Sequence, residues 1–112
     1  MRDLKARVAP DANRNRMNRL ESRYAEHLGY LKLEGKVAYF MYEAISLRLA
    51  DRTVYNPDFL LIMPDGSIEI HETKGFMRDD AAVKIKVAAK MFPWFTFKLV
   101  RLIKGRWEIK TI

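Results

Sequence analysis

The chain has 112 residues, enough for one domain with its own core. It contains no cysteine, so disulfide frameworks and thiolate metal centres are excluded, and no apolar run approaches the roughly 20 residues that a membrane-spanning helix needs. The formal net charge of +7 favours an anionic partner, nucleic acid above all, although a solvated basic surface is the plainer reading.

The charge is concentrated early. Arg2, Lys5, Arg7, Arg14, Arg16, Arg19 and Arg23 stand against three acids in the first 23 residues. Residues 1–20 lack the apolar stretch of a secretory leader, and with the missing cysteines this predicts a cytoplasmic setting and no membrane. Residues 1–12 read as a basic N-terminal arm and residues 13–112 as a single domain. Pro10-Asp11 makes a helix start, and Met17, Leu20, Tyr24, Ala25 and Leu28 recur at helical spacing over residues 13–28. Gly29 can end that helix. On a wheel with Met17 at zero, Glu21 falls at about 40°, on the apolar face, while Glu26 falls at about 180°. A carboxylate among packed apolar groups is costly unless it is paired or bound to metal. Glu21 is therefore a candidate ligand or water-orienting base; the alternative is that it reaches past the stripe and pairs with Arg14 or Arg23. Arg14, Arg16, Arg19 and Arg23 spread over the exposed part of the helix, where they suit a DNA backbone.

Residues 37–49 carry an extended pattern that can break in the middle, with Val37, Tyr39, Met41, Ile45, Leu47 and Leu49 on one parity. Asp51-Arg52-Thr53 is a turn. The next stretch, residues 55–74, reads YNPDFLLIMPDGSIEIHETK and is a hairpin. Proline and glycine in Met63-Pro64-Asp65-Gly66-Ser67 favour a three-residue loop with a bulge, which pairs Met63 with Ser67. That register places Asp58 opposite Glu72, and opposed residues share a face. Lys74, two residues on, shares it too. This face carries Asp58, Leu60, Ile62, Ile68, Ile70, Glu72 and Lys74; the other carries Phe59, Leu61, Met63, Glu69, His71 and Thr73. The first strand of the hairpin is apolar on both sides and is expected inside the sheet.

Two opposed carboxylates repel each other unless a cation lies between them, and Mg²⁺ takes one or two carboxylates while keeping several waters. Lys74 is placed to orient a water or to stabilise charge on a phosphate. The alternative is a structural salt bridge from Lys74 to either acid, with Asp58 opening its strand through an Asx turn. His71 points away from this group and is expected to be an ordinary strand histidine, and His27 a helix-surface residue. A second helix over residues 78–91 is stopped by Pro93. Lys86 and Lys90 share a face of it and either contact phosphates or are simply solvated. Residues 95–102 and 107–112 form the last strands around Lys104-Gly105. Trp94 and Trp107 flank them and suit core or interface packing more than base stacking. The order α-β-β-β-α-β(-β) makes an α/β domain with a mixed central sheet flanked by helices.

Pro57-Asp58, then Glu72-Thr73-Lys74 a strand and a turn later, with Glu21 on an upstream helix, resemble the PD-(D/E)xK nuclease superfamily over roughly residues 13–100. The Glu72-to-Gly75 form and the lysine-rich helix after it look like phage-encoded members, including Holliday junction resolvases. The resemblance implies a restriction-endonuclease-like core and a metal-dependent DNA endonuclease. In such an enzyme Asp58, Glu72 and the Thr73 carbonyl would bind Mg²⁺ or Mn²⁺, Lys74 would position the attacking water, and Glu21 would assist. It also implies branched DNA as substrate, a homodimer, and the host cytoplasm as location for a phage protein. Phe59, Leu61 and Met63 offer a surface for the second copy, unless the second helix covers them.

Overall fold

The computed structural model describes residues 17–75 and 79–112. The arm at residues 1–12, the expected helix start, Arg14 and Arg16 lie outside them. Helix α1 spans Arg19–Leu33. Asn18 caps it, accepting from the Glu21 N–H at 2.7 Å, while the Glu21 carboxylate accepts from the Asn18 N–H at 2.9 Å. This reciprocal pair satisfies two of the donors that a helix start leaves open. Gly29 does not end the helix; it is an interior residue. The stop is Gly35, at φ +78°, with Lys36 N–H donating to Leu31 O and Gly35 N–H to Lys32 O. That is a Schellman closure, which requires the left-handed conformation glycine adopts most easily.

The extended segment at 37–49 is broken. β1 (Tyr39–Tyr42) and β2 (Leu47–Ala50) are separated at Glu43, which has φ +48° and donates its N–H to Asp58 O. β2 turns back on β3 (Thr53–Tyr55) as a separate two-stranded sheet. β4 (Phe59–Ile62) and β5 (Ile68–Thr73) form the expected hairpin, with Ile62 opposite Ile68 and Phe59 opposite His71. Gly66 at φ +89° and the paired Met63 and Ser67 make the predicted bulged loop. Helix α2 (Asp79–Met91) crosses to β6 (Thr96–Ile103), which runs parallel to β5, and β7 (Arg106–Thr111) returns antiparallel. The five-stranded sheet has the order β1-β4-β5-β6-β7, so β4 is interior, as its two apolar faces require.

Two cores lie on the two sides of this sheet. On one, Leu60, Ile70 and Phe97 meet Ile85 and Ala88 of α2 and Ala44, Ile45, Leu47 and Tyr55 around the small hairpin. On the other, Phe59, Leu61 and Val100 meet Tyr24 and Leu28 of α1. Phe59 and Leu61 are thus covered by the first helix rather than by the second or by another copy. The result is an α/β domain with a mixed central sheet between two helices. Trp107 packs edge-on to Tyr24, with ring centroids 4.9 Å apart, but Trp94 is 68% exposed and outside the core. His27 is half-buried against Trp107 rather than a free surface residue.

Candidate functional site

The hairpin register brings Asp58 and Glu72 together at one end of the sheet. The Asp58 N–H donates to Glu72 Oε1 at 3.3 Å, across the two strands. Asp58 Oδ2 accepts from both the backbone N–H and the hydroxyl of Thr73, at 2.9 and 2.8 Å. Glu72 Oε1 also accepts from the hydroxyl of Tyr55, at 2.8 Å. These bonds hold one oxygen of each carboxylate. Among the described residues, no hydrogen bond engages Asp58 Oδ1 or Glu72 Oε2.

Both acids sit where charge is disfavoured. Burial pushes the Asp58 carboxyl well above the usual range; the neighbouring charge of Glu72, and then that of Glu21, push the same way, against the bonds from Thr73. Burial also raises Glu72, with smaller contributions from Glu21 and Glu43, against the bonds from Tyr55 and Asp58. Four carboxylates are thus within electrostatic reach at this end of the sheet. Among the described residues no three His, Cys, Asp or Glu side chains form one group able to hold a metal ion.

Thr73 stands where the strand ends. Lys74 N–H donates to Val100 O, so the polar groups of Thr73, one residue earlier, turn the other way, towards Asp58. Its carbonyl leaves on that side with its N–H. Two desolvated carboxylates, each with one oxygen that no described residue engages, and a carbonyl beside them are hard oxygen donors. They fit Mg²⁺ or Mn²⁺, which accept few protein ligands and keep waters.

Glu21 reaches the same end from α1, but it is already occupied. Besides capping its own helix, its Oε1 accepts from the Tyr42 hydroxyl at 2.8 Å. Among the described residues its partners are Asn18 and Tyr42 and not Arg23; Arg14 lies outside them. Arg19 and Arg23 are exposed on α1, and Arg23 lines a pocket of about 180 Å³ with His27 and Trp107. Lys86 and Lys90 are exposed on α2. Lys74 is half-buried and lines a cavity of about 400 Å³ with Leu99, Arg101, Glu108, Ile109 and Lys110.

His71 faces the other side, as its parity predicts. It is buried, with Nε2 2.8 Å from Glu69 Oε1 and Nδ1 2.7 Å from the Tyr24 hydroxyl. A carboxylate only accepts, so Nε2 carries the proton and Nδ1 accepts from Tyr24. Burial lowers the His71 pKa, and Lys98 lies 3.2 Å from Glu69.

The residues that the sequence reading passed over are Tyr55, Tyr42, Glu43, Arg101 and Lys110. Tyr55 was visible three residues before Asp58, but its contact depends on the small hairpin folding back over Glu72. Lys110 carried a signal: Arg106, Glu108 and Lys110 alternate with Trp107 and Ile109, which marks a strand with one charged face. Comparison with protein-family models, with curated proteins and with solved structures finds no match to this chain.

Proposed function

We propose that the chain is a divalent-metal-dependent DNA endonuclease that hydrolyses phosphodiester bonds and acts on branched DNA. The observation that carries this reading is the cross-strand pair of buried Asp58 and half-buried Glu72, each with an oxygen that no described residue engages, next to Lys74, which lines a cavity with Arg101 and Lys110. Asp58, Glu72 and the Thr73 carbonyl would hold Mg²⁺ or Mn²⁺. When bound, such an ion lowers the pKa of its water and neutralises charge on the phosphoryl oxygens. The chain's own groups do the rest. Thr73 holds Asp58 by Oδ2, and Tyr55 and the Asp58 N–H hold Glu72 by Oε1, which fixes both carboxylates in place. The Lys74 ammonium, a donor only, orients the attacking water or meets the negative charge that develops on the phosphate. Glu21 sets the local charge and anchors α1 to β1 through Tyr42. The mixed sheet, with a hairpin followed by a helical crossover to a parallel strand, supports a restriction-endonuclease-like core. Two copies would be needed to cut both strands of a branch, so a homodimer belongs to the same reading.

The test is cleavage of a four-way junction beside a linear duplex, with Mg²⁺, by wild type and Lys74→Ala. Junction cutting that falls by roughly 10²- to 10³-fold in the variant is expected. Equal cutting of both DNAs, lost in the variant, would keep the site and move the substrate to linear duplex, as in restriction or repair enzymes. DNA binding without cutting, unchanged by the variant, would make the chain a binding module.

A further inference from the structure

The face that carries Asp58, Glu72 and Lys74 is covered only in part. Helix α2 and the β2–β3 hairpin lie over Leu60, Ile70 and Phe97. Beyond them Arg101 of β6 and Arg106, Glu108 and Lys110 of β7 are exposed. The register shows what stands there. Glu72 is beside Leu99 and Leu99 beside Lys110, so the row that begins at Asp58 runs on to a lysine. Thr73 is beside Val100, which sets Lys74 beside Arg101, and Arg101 is paired with Glu108. Strands are spaced by about 5 Å, so Lys110 stands two strands, roughly 10 Å, from Glu72 and Arg101 one strand from Lys74. These residues line the cavity of about 400 Å³. Among the described lining residues three cations, Lys74 just past β5, Arg101 on β6 and Lys110 on β7, meet one acid, and that acid is only loosely held, 3.4 Å from Arg101 in an exposed pair. On β7, Arg106 shares the parity of Glu108 and Lys110 and extends the basic face.

We propose that this groove binds the backbone phosphates of the DNA strand next to the scissile bond, with Arg101 and Lys110 as the contacts and Glu108 as a built-in competitor for Arg101. The assignment rests on the nuclease reading for its substrate, but it concerns β6 and β7 rather than the helix arginines and lysines named in the sequence analysis. The cleft is open, cationic and continuous with Lys74, which suits a flexible chain of anions. Among the described lining residues the large apolar ones are Leu99 and Ile109, short of what a packed protein interface requires.

The experiment is equilibrium binding of a four-way junction and a linear duplex in EDTA across a salt series, with Arg101→Gln, Lys110→Gln and Glu108→Gln. Thermal melts of each variant check the fold; all three side chains are exposed. Each cation removed should weaken binding by roughly three- to tenfold at low salt and flatten the salt slope by about one. Glu108→Gln should tighten binding by a similar factor. Wild-type binding in which all three variants match the wild type overturns the groove. So does the absence of DNA binding by the wild type. If the variants behave as expected and no DNA is ever cut, the nuclease reading fails while the groove stands. If DNA is cut with unchanged KM and binding in Arg101→Gln and Lys110→Gln, the groove fails while the nuclease stands.

Discussion

Asp58 and Glu72 carry the strongest conflict at the residue scale. A carboxyl whose folded-state pKa lies above its unfolded value keeps its proton longer in the fold. The fold therefore loses stability as pH rises from about 4, the unfolded value, through the raised one. Asp58→Asn removes this loss while its side-chain oxygen still accepts from Thr73. In metal-free buffer at pH 8 the variant should be more stable than wild type by about 1–2 kcal/mol, a gain that vanishes near pH 4. Urea melts at the two pH values check it; equal stability of the two proteins at pH 8 would mean that neither burial nor the charge of Glu72 raises the Asp58 carboxyl. Added Mn²⁺ should stabilise the wild type and leave Asp58→Asn unmoved, because only a state that binds the ion gains from it.

Helix α1 links local stability to the site at the scale of elements. Its start depends on Asn18 and Glu21, and its end on Gly35. Asn18→Ala should cost about 1 kcal/mol, and Gly35→Ala about 1–2 kcal/mol, since alanine is strained at φ +78°. The position of Glu21 separates its two roles. Glutamine also completes a capping box and also accepts from Tyr42. Glu21→Gln should therefore melt near wild type, and any loss of cleavage would then report its charge rather than its helix. Full activity in Glu21→Gln would leave it as a cap and an anchor. The β2–β3 hairpin matters for the same reason: it delivers the Tyr55 hydroxyl to Glu72 from outside the five-stranded sheet.

The whole molecule is a sheet with two unlike sides. One side, under α1, is closed by the buried Tyr24–His71–Glu69 chain and by Trp107. Tyr24→Phe would leave His71 Nδ1 without its donor in a dry place, at a cost of about 1–3 kcal/mol in denaturant melts. No change in the melt would show that water replaces the hydroxyl. The other side is half covered by α2 and half open at β6 and β7, and the acids lie where the two halves meet. Much of this was legible in the sequence. The Pro64–Gly66 loop chemistry set the hairpin register, and with it the opposition of Asp58 and Glu72 and the placing of His71 on the opposite face. The two-sided apolar run placed β4 inside the sheet. The helical spacing of Tyr24 and Leu28 marked the buried stripe of α1. These are local or period-based signals, and backbone sterics and side-chain alternation suffice to read them. The break at Glu43, the second hairpin, the partners of Tyr55 and Glu21, and the meeting of Lys74 with Arg101 and Lys110 were decided only by tertiary structure. They join segments that lie up to several dozen residues apart, and no periodicity in one segment records which face of another will cover it.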